Sequence, residues 1–231
     1  MNSACENTVP FTRIQKLIGK YMLQSKRQGP CCYLEARADM TGLVAMRRPY
    51  CKEVGVRVTT NDFFFCAIGR AAKKFPLMAG HLDDSEANIC IGDDVGVGFA
   101  VAAPQGLVVP VIKSISGKSL PQIAARSSSL VEKARSNKLA LDDFEGADII
   151  FSSLGMYGVS SFFAIKSPGV VSIVSVGRLE DTVTPSKDGP TVRKTMSVAL
   201  AADRRIIDEF YAAQFLRRVV ELLQAPEMLI L

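Results

Sequence analysis

The sequence predicts an α/β domain built on a mixed β-sheet, and three observations predict it. Segments of helical periodicity interleave with short β-rich runs along the whole chain. Runs in the middle are separated by Gly92-Asp93-Asp94 and Pro104-Gln105-Gly106, turn chemistry that predicts two hairpins. No repeat with a period of roughly 20 to 50 residues and no low-complexity linker divides the chain. With 231 residues, a single core that buries roughly 70% of the unfolded surface is within reach.

The elements follow in order. Ile14, Leu17, Ile18, Tyr21 and Met22 recur at spacings of three and four between Arg13, Lys16, Lys20 and Lys26, which predicts an amphipathic helix from an N-cap at Thr12 to Lys26. Cys32 to Met40 reads as a strand, and Asp39-Met40-Thr41 starts a helix toward Lys52. A third helix begins at Asn61 or Asp62, carries the apolar run Phe63 to Ala72, and stops before Phe75-Pro76 because proline disfavours a helical residue ahead of it. Strands are expected at Asn88 to Ile91, Val95 to Ala103 and Leu107 to Lys113, then a helix from Ser119 to Asn137. Ile149 to Ser153, Val170 to Gly177 and Val192 to Ala202 complete the strands, and Phe210 to Leu223 is the last helix. A doubly wound nucleotide fold is disfavoured, since no strand is followed by GxGxxG or GxxxxGK[ST] opening a helix.

Composition narrows the function. Apolar residues at 48% and charged residues at 22% exclude disordered and collagenous classes. The net charge of +5, from 28 basic and 23 acidic residues, is spread along the chain, and clusters such as Lys73-Lys74 and Arg204-Arg205 are only pairs, so no nucleic-acid partner is expected. The N-terminus has neither a basic start nor an apolar run, and no span long enough for a membrane occurs, which predicts a cytoplasmic protein without a membrane partner. The six cysteines, at positions 5, 31, 32, 51, 66 and 90, form no CxxC pair, and the single histidine completes no zinc site of the usual spacing; free thiols and no metal are expected.

Three places carry chemistry. His81 lies in a loop-like stretch and reads as a solvated surface residue. Asp203-Arg204-Arg205-Ile206-Ile207-Asp208-Glu209 concentrates charge at a strand-to-helix junction. It serves either to cap the helix, with Asp208 and Glu209 paired to the arginines, or as a site at the strand end. Ser152, at the end of another strand, is a turn former or a donor to a developing oxyanion.

Along nearly its whole length the chain resembles the catalytic core domain of dihydrolipoyl acyltransferases of 2-oxo-acid dehydrogenase complexes, a fold shared with chloramphenicol acetyltransferase. The resemblance is carried by Val9-Pro10-Phe11-Thr12-Arg13-Ile14, Asp39-Met40-Thr41, Thr60-Asn61-Asp62-Phe63 and Gly106-Leu107-Val108-Val109-Pro110-Val111-Ile112. It continues through Ala134-Arg135-Ser136-Asn137-Lys138-Leu139, Phe151-Ser152-Ser153-Leu154-Gly155, Val176-Gly177 and the closing Pro226 to Leu231. It implies a chloramphenicol acetyltransferase-like two-layer α/β fold with a mixed sheet and packed helices, formed by residues 9–231 after a leader of residues 1–8. It also implies a homotrimer with its site between subunits, no covalently bound cofactor, coenzyme A or acyl-CoA as ligand, and 2-oxo-acid dehydrogenase components as partners. Trimers are expected to join into a larger assembly through the apolar tail Met228-Leu229-Ile230-Leu231, inserted into a neighbour.

The family's Asp-His-Arg-x-x-Asp-Gly motif, whose histidine deprotonates the attacking thiol, aligns with Asp203 to Glu209, so that Arg204 stands for the histidine and Glu209 for the glycine. Arginine stays protonated and has no acceptor nitrogen, which bars it from general-base work. The resemblance assigns Ser152 to the oxyanion and Asp208 to site geometry, paired here with Arg204 or Arg13. It assigns Arg13, Ala79, Gly106, Leu107, Val108 and Pro110 to substrate or cofactor binding, with Ala79 replacing a family asparagine. The expected outcome is an oligomeric scaffold or a binder of acyl ligands with impaired transfer, and the alternative is an active coenzyme A-dependent acyltransferase with a non-standard site.

Overall fold

A computed structural model describes residues 8–187 and 189–230; the expected leader up to residue 7, Cys5 and Leu231 lie outside the described residues. The chain opens with α1 (Arg13–Gln28), β1 (Cys31–Asp39), α2 (Thr41–Val54) and α3 (Thr60–Lys74). Six short strands follow: β2 (His81–Leu82), β3 (Ile89–Cys90), β4 (Val97–Phe99), β5 (Val101–Ala103), β6 (Gly106–Val108) and β7 (Val111–Ile112). The rest is α4 (Leu120–Arg135), β8 (Ile149–Ser153), β9 (Ser172–Thr184), β10 (Thr191–Asp203) and α5 (Glu209–Gln224).

The main sheet has the order β1-β10-β9-β8-β4-β7. β1, β10 and β9 are antiparallel neighbours, β8 is parallel to both β9 and β4, and β4 is antiparallel to β7, so the sheet is mixed as expected. One face carries the main core. There α3 is the most deeply sunk helix, with Phe63, Phe64 and Phe65 all buried, and Phe65 meets Phe99 of β4 and Phe151 of β8 at centroid distances of 5.0 and 5.2 Å. The α3 N-terminus is fixed by reciprocal bonds between Thr59 and Asp62, and buried Asp62 also accepts from Ser127 of α4 at 2.5 Å. Ile150, Ile173 and Ala201 face the other way and form a small second cluster with Val170.

The Pro104-Gln105-Gly106 turn forms the expected hairpin of β5 and β6, with Gly106 at φ 122°. The other expected hairpin is overturned. Ile89 and Cys90 pair with Leu82 and His81 rather than across Gly92-Asp93-Asp94, and the predicted run Val95 to Ala103 breaks at Ala100 into strands of different sheets. Tertiary partners cause the break, because the Ala100 N–H donates to Phe151 O at 2.9 Å while Phe99 N–H donates to Pro110 O at 3.0 Å. β9 runs seven residues beyond Gly177, through the polar stretch Arg178 to Thr184, held by its register with β10.

The two ends of the chain behave differently. Thr12 caps α1, accepting from the Gln15 N–H at 3.1 Å while Gln15 Oε1 accepts from the Thr12 N–H at 2.9 Å. Yet Ser25 is the one buried residue of α1, and Ile14, Leu17, Ile18, Tyr21 and Leu23 are exposed. At the other terminus Leu229 is fully buried in its own chain, its carbonyl accepting from Cys66 and Arg70. That leaves Met228 and Ile230 as the exposed apolar residues of the described tail.

Candidate active site

Arg204 follows the last residue of β10, with its N–H donating to Pro30 O at 2.7 Å. Its Nε donates to Glu209 Oε1 at 2.8 Å, and the two side chains are 50% and 60% exposed. The two residues that depart from the resembled motif therefore form one ion pair. Asp208 is the N-cap of α5, accepting from the Tyr211 N–H at 2.7 Å. Within one chain Asp208 meets neither Arg204 nor Arg13 among the described residues: its Oδ1 accepts from the first turn of α5, while Glu209 takes the Arg204 guanidinium. Arg13, on the first turn of α1, is exposed.

Ser152 is half-buried near the end of β8, and its hydroxyl has no hydrogen-bond partner among the described residues. Behind it Gly155 and Gly177 allow a close approach of backbones: a Cβ on Gly155 would lie 2.5 Å from Gly177 O, and one on Gly177 would lie 1.8 Å from Ser160 O. Both motif glycines are thus packing requirements of the turn that follows Ser152.

The sheet register separates the two halves of the expected site. Ser152 pairs with Ser175, which pairs with Ala199, whereas Ala202 lies level with Ser172 and Ile149. Ser152 and Arg204 therefore sit at opposite ends of the sheet, two strands apart. With strands about 4.8 Å apart and about 3.3 Å per residue, the offset is roughly 20 Å. One chain does not bring these residues together. Of the other expected binding residues, Ala79 is buried in a 3₁₀ turn (Pro76–Ala79), Pro110 is buried, and Gly106, Leu107 and Val108 form β6 with Leu107 exposed.

Beside Arg204 the structure holds a charged knot that local sequence does not announce. Asp203 and Lys166 are 2% and 4% exposed and pair at 3.0 Å. Asp203 also accepts from Arg205 Nε at 3.1 Å and Nη2 at 2.9 Å, and Arg205 Nη1 reaches Glu86 at 2.8 Å. Burial opposes ionisation of Asp203, but hydrogen bonds from Arg205 and Lys166 outweigh it and hold the carboxyl below its usual range. Lys166 O accepts from Ser25 at 2.6 Å, so the knot also anchors the end of α1. Nothing in Ala164-Ile165-Lys166-Ser167-Pro168 marks Lys166 as buried; the nearest signal is the charge density at Asp203 to Glu209.

A mixed six-stranded sheet with helices packed on one face defines the chloramphenicol acetyltransferase-like fold, and chloramphenicol acetyltransferase itself superposes with a TM-score of 0.53 at 14% identity, a likeness of fold alone. The family of the 2-oxoacid dehydrogenases acyltransferase (catalytic domain) matches residues 3–231, and the chain belongs to that family. It is 30% identical over 227 residues to the dihydrolipoyllysine-residue acetyltransferase component of the pyruvate dehydrogenase complex of Rickettsia felis, covering 96% of this chain and 55% of that protein. The chain thus spans about half the length of the relatives it matches. Among solved structures, the dihydrolipoamide acetyltransferase of Azotobacter vinelandii, studied for the roles of a serine, a histidine and an asparagine in its catalytic mechanism, superposes with a TM-score of 0.90 at 31% identity, over 97% of this chain and 94% of that one. The cubic core of a pyruvate dehydrogenase multienzyme complex superposes with a TM-score of 0.91 at 31% identity, over 99% and 96%.

Proposed function

We propose that this chain is an oligomeric core subunit of the 2-oxo-acid dehydrogenase type that binds coenzyme A thioesters and is impaired in acyl transfer. The observation that carries the reading is the Arg204–Glu209 pair, in which a permanent cation engaged by a carboxylate occupies the position the resemblance gives to the base. Arg204 has no lone pair with which to take a proton from a thiol. A positioned base contributes roughly 10² to 10⁴ in rate, equivalent to about 3 to 5 kcal/mol of barrier. Ser152, with its unengaged hydroxyl, remains as an oxyanion donor, and Asp208 serves by fixing the start of α5.

Two features support a homotrimer. Ser152 and Arg204 lie at opposite ends of one sheet, so a site containing both needs a second copy. The exposed apolar face of α1 is the kind of contiguous patch that marks a protein contact. Likeness to a cubic core extends the reading to an assembly of trimers with dehydrogenase components as partners. Five described cysteines are all free thiols, which supports a reducing, cytoplasmic setting.

The test is a calorimetric titration with acetyl-CoA, followed by an assay of the same sample for transfer to dihydrolipoamide. Binding is expected, with turnover no faster than that of Ser152→Ala. Turnover about a hundredfold above that control, the low end of a general-base contribution, would establish the active acyltransferase instead.

A further inference from the structure

Away from Arg204 and Ser152, the fold sets the chain's single histidine opposite a cysteine. β2 and β3 pair antiparallel with His81 level with Cys90, and both residues are exposed. Side chains opposed in this way project from the same face, with Cβ atoms about 4.5 to 5.5 Å apart. At that spacing a turn of either side chain brings an imidazole nitrogen to the thiol. The loop between the strands latches the register. Asp83 N–H donates to Asn88 O at 3.0 Å, and the Asp83 carboxylate accepts from Asn88 Nδ2 at 2.7 Å and from Ser85 Oγ at 2.8 Å. The side chains of Asn88 and Ser85 hold the Asp83 carboxyl down to about 2, so the latch stays ionised near neutral pH.

No other thiol among the described residues has this setting. Burial pushes the Cys31, Cys32 and Cys66 thiols up, away from the ionised form that reacts. Cys51 is half-buried and accepts from the Val58 N–H at 3.2 Å. Cys90 is the exposed one of the five. His81 also has a carboxylate within electrostatic reach: burial pushes the Asp148 carboxyl up, while the Gly96 N–H and the charge of His81 pull it down and Asp94 adds to the rise. A proton taken up by His81 is therefore met by negative charge. From Phe75 to Ile112 the chain has no lysine or arginine, and Asp83, Asp84, Glu86, Asp93 and Asp94 flank the pair in sequence. Of the nearby cations, Arg205 is taken by Asp203 and Glu86, and Lys166 by Asp203. The field around Cys90 is negative and turns away anionic reagents.

We infer that Cys90 is a modification site for small uncharged or cationic disulfides, with His81 as its base. The imidazole takes the Cys90 Sγ proton, and the thiolate attacks one sulfur of the disulfide. A new S–S bond forms to Cys90 as the reagent's own S–S bond breaks, and the departing thiolate takes the proton back from the imidazolium. Cys90 is oxidised to a mixed disulfide, and the departing half of the reagent is reduced to a thiol. The step is independent of the thioester-binding reading.

The assembled full chain is treated with cystamine, hydroxyethyl disulfide or dithiodipropionate, a dication, a neutral compound and a dianion, and the adducts are mapped by mass spectrometry. Each rate is divided by that of mercaptoethanol with the same reagent. Cys90 is expected to take the adduct ahead of every other cysteine, and Cys90→Ser to remove the fast phase. His81→Asn, a surface substitution, is expected to slow the neutral reagent about tenfold at pH 7, within the roughly thirtyfold that full ionisation of an ordinary thiol gives there. The wild-type advantage should vanish by about pH 5, where an ordinary imidazole is protonated, and by about pH 9.5, where an ordinary thiol is already ionised. An advantage that is absent at pH 7, or constant across that range, overturns the role of His81. Adducts spread evenly over several cysteines overturn the site. Cystamine should outpace dithiodipropionate about tenfold at low ionic strength, with the gap closing as salt is added. A gap that is absent, or that ignores salt, overturns the charge selection.

Discussion

At the end of β10, Asp203 and Arg204 are neighbours in sequence that face different media. Asp203 turns into the protein and meets Lys166 where both are nearly dry, whereas Arg204 turns outward and meets Glu209 where both are at least half exposed. The two pairs have similar lengths, 3.0 and 2.8 Å. Distance therefore does not distinguish them; solvent does. In the buried pair Lys166 depends on Asp203 for its counter-charge, so removing Asp203 strands the ammonium, whereas Asp203 keeps Arg205 as a second partner. In the exposed pair water replaces either partner at little cost. The first is a structural fastening between β10, α1 and the Lys166 segment. The second contributes little to the fold, which leaves its importance to the chemistry of the site.

The largest effect is expected at Asp203. Asp203→Ala leaves Lys166 buried without a counter-charge and is expected to cost about 3 to 5 kcal/mol in denaturant unfolding of the assembled protein. A loss below about 1 kcal/mol, the scale of a surface pair, would mean that the two pairs do not differ as described. Lys166→Met in the same background should recover much of the loss, since the stranded ammonium is then gone.

Acid weakens the buried pair. The Asp203 carboxyl lies below its usual range in the folded protein, and about 3.9 is ordinary for an unfolded chain. A depressed folded value means the contribution is fully present above the unfolded value and is lost as pH falls through the folded one. Wild type should therefore lose its advantage over Asp203→Asn below about pH 4, with a constant difference from pH 5 to 8 in a series of unfolding curves. A difference that changes between pH 5 and 8 would place the controlling group elsewhere.

The smallest effect belongs to the exposed pair. A double-mutant cycle of Arg204→Ala and Glu209→Ala should give a coupling of at most about 1 kcal/mol, shrinking as salt is added. A coupling of several kcal/mol that ignores salt would show that the pair is shielded, for instance by a second subunit. The α1 face offers a separate measure of that shielding: Leu17→Lys with Ile18→Lys should leave the chain folded and lower the mass seen by light scattering toward the 25.0 kDa of one chain. An unchanged mass would remove α1 from the interface.

Much of the frame follows from local sequence. The five helices, β1 and β8 to β10 were legible because their apolar spacing and capping residues are local properties, as with Thr12 and Gln15 on α1 or the stop before Phe75-Pro76. The chemical oddity of Arg204 and Glu209 was equally legible, since residue identity needs no coordinates. Only tertiary structure decided which strands the short central runs join, how far β9 extends past Gly177, that Asp208 caps α5 while Glu209 takes Arg204, and that Leu229 is used inside its own chain. It alone revealed that Lys166 is buried against Asp203, 37 residues away in sequence, and that Ser152 and Arg204 stand at opposite ends of the sheet. Pairings over such separations are set by strand register and by the competition of side chains for the same partner, and neither is written in the spacing of residues along one segment.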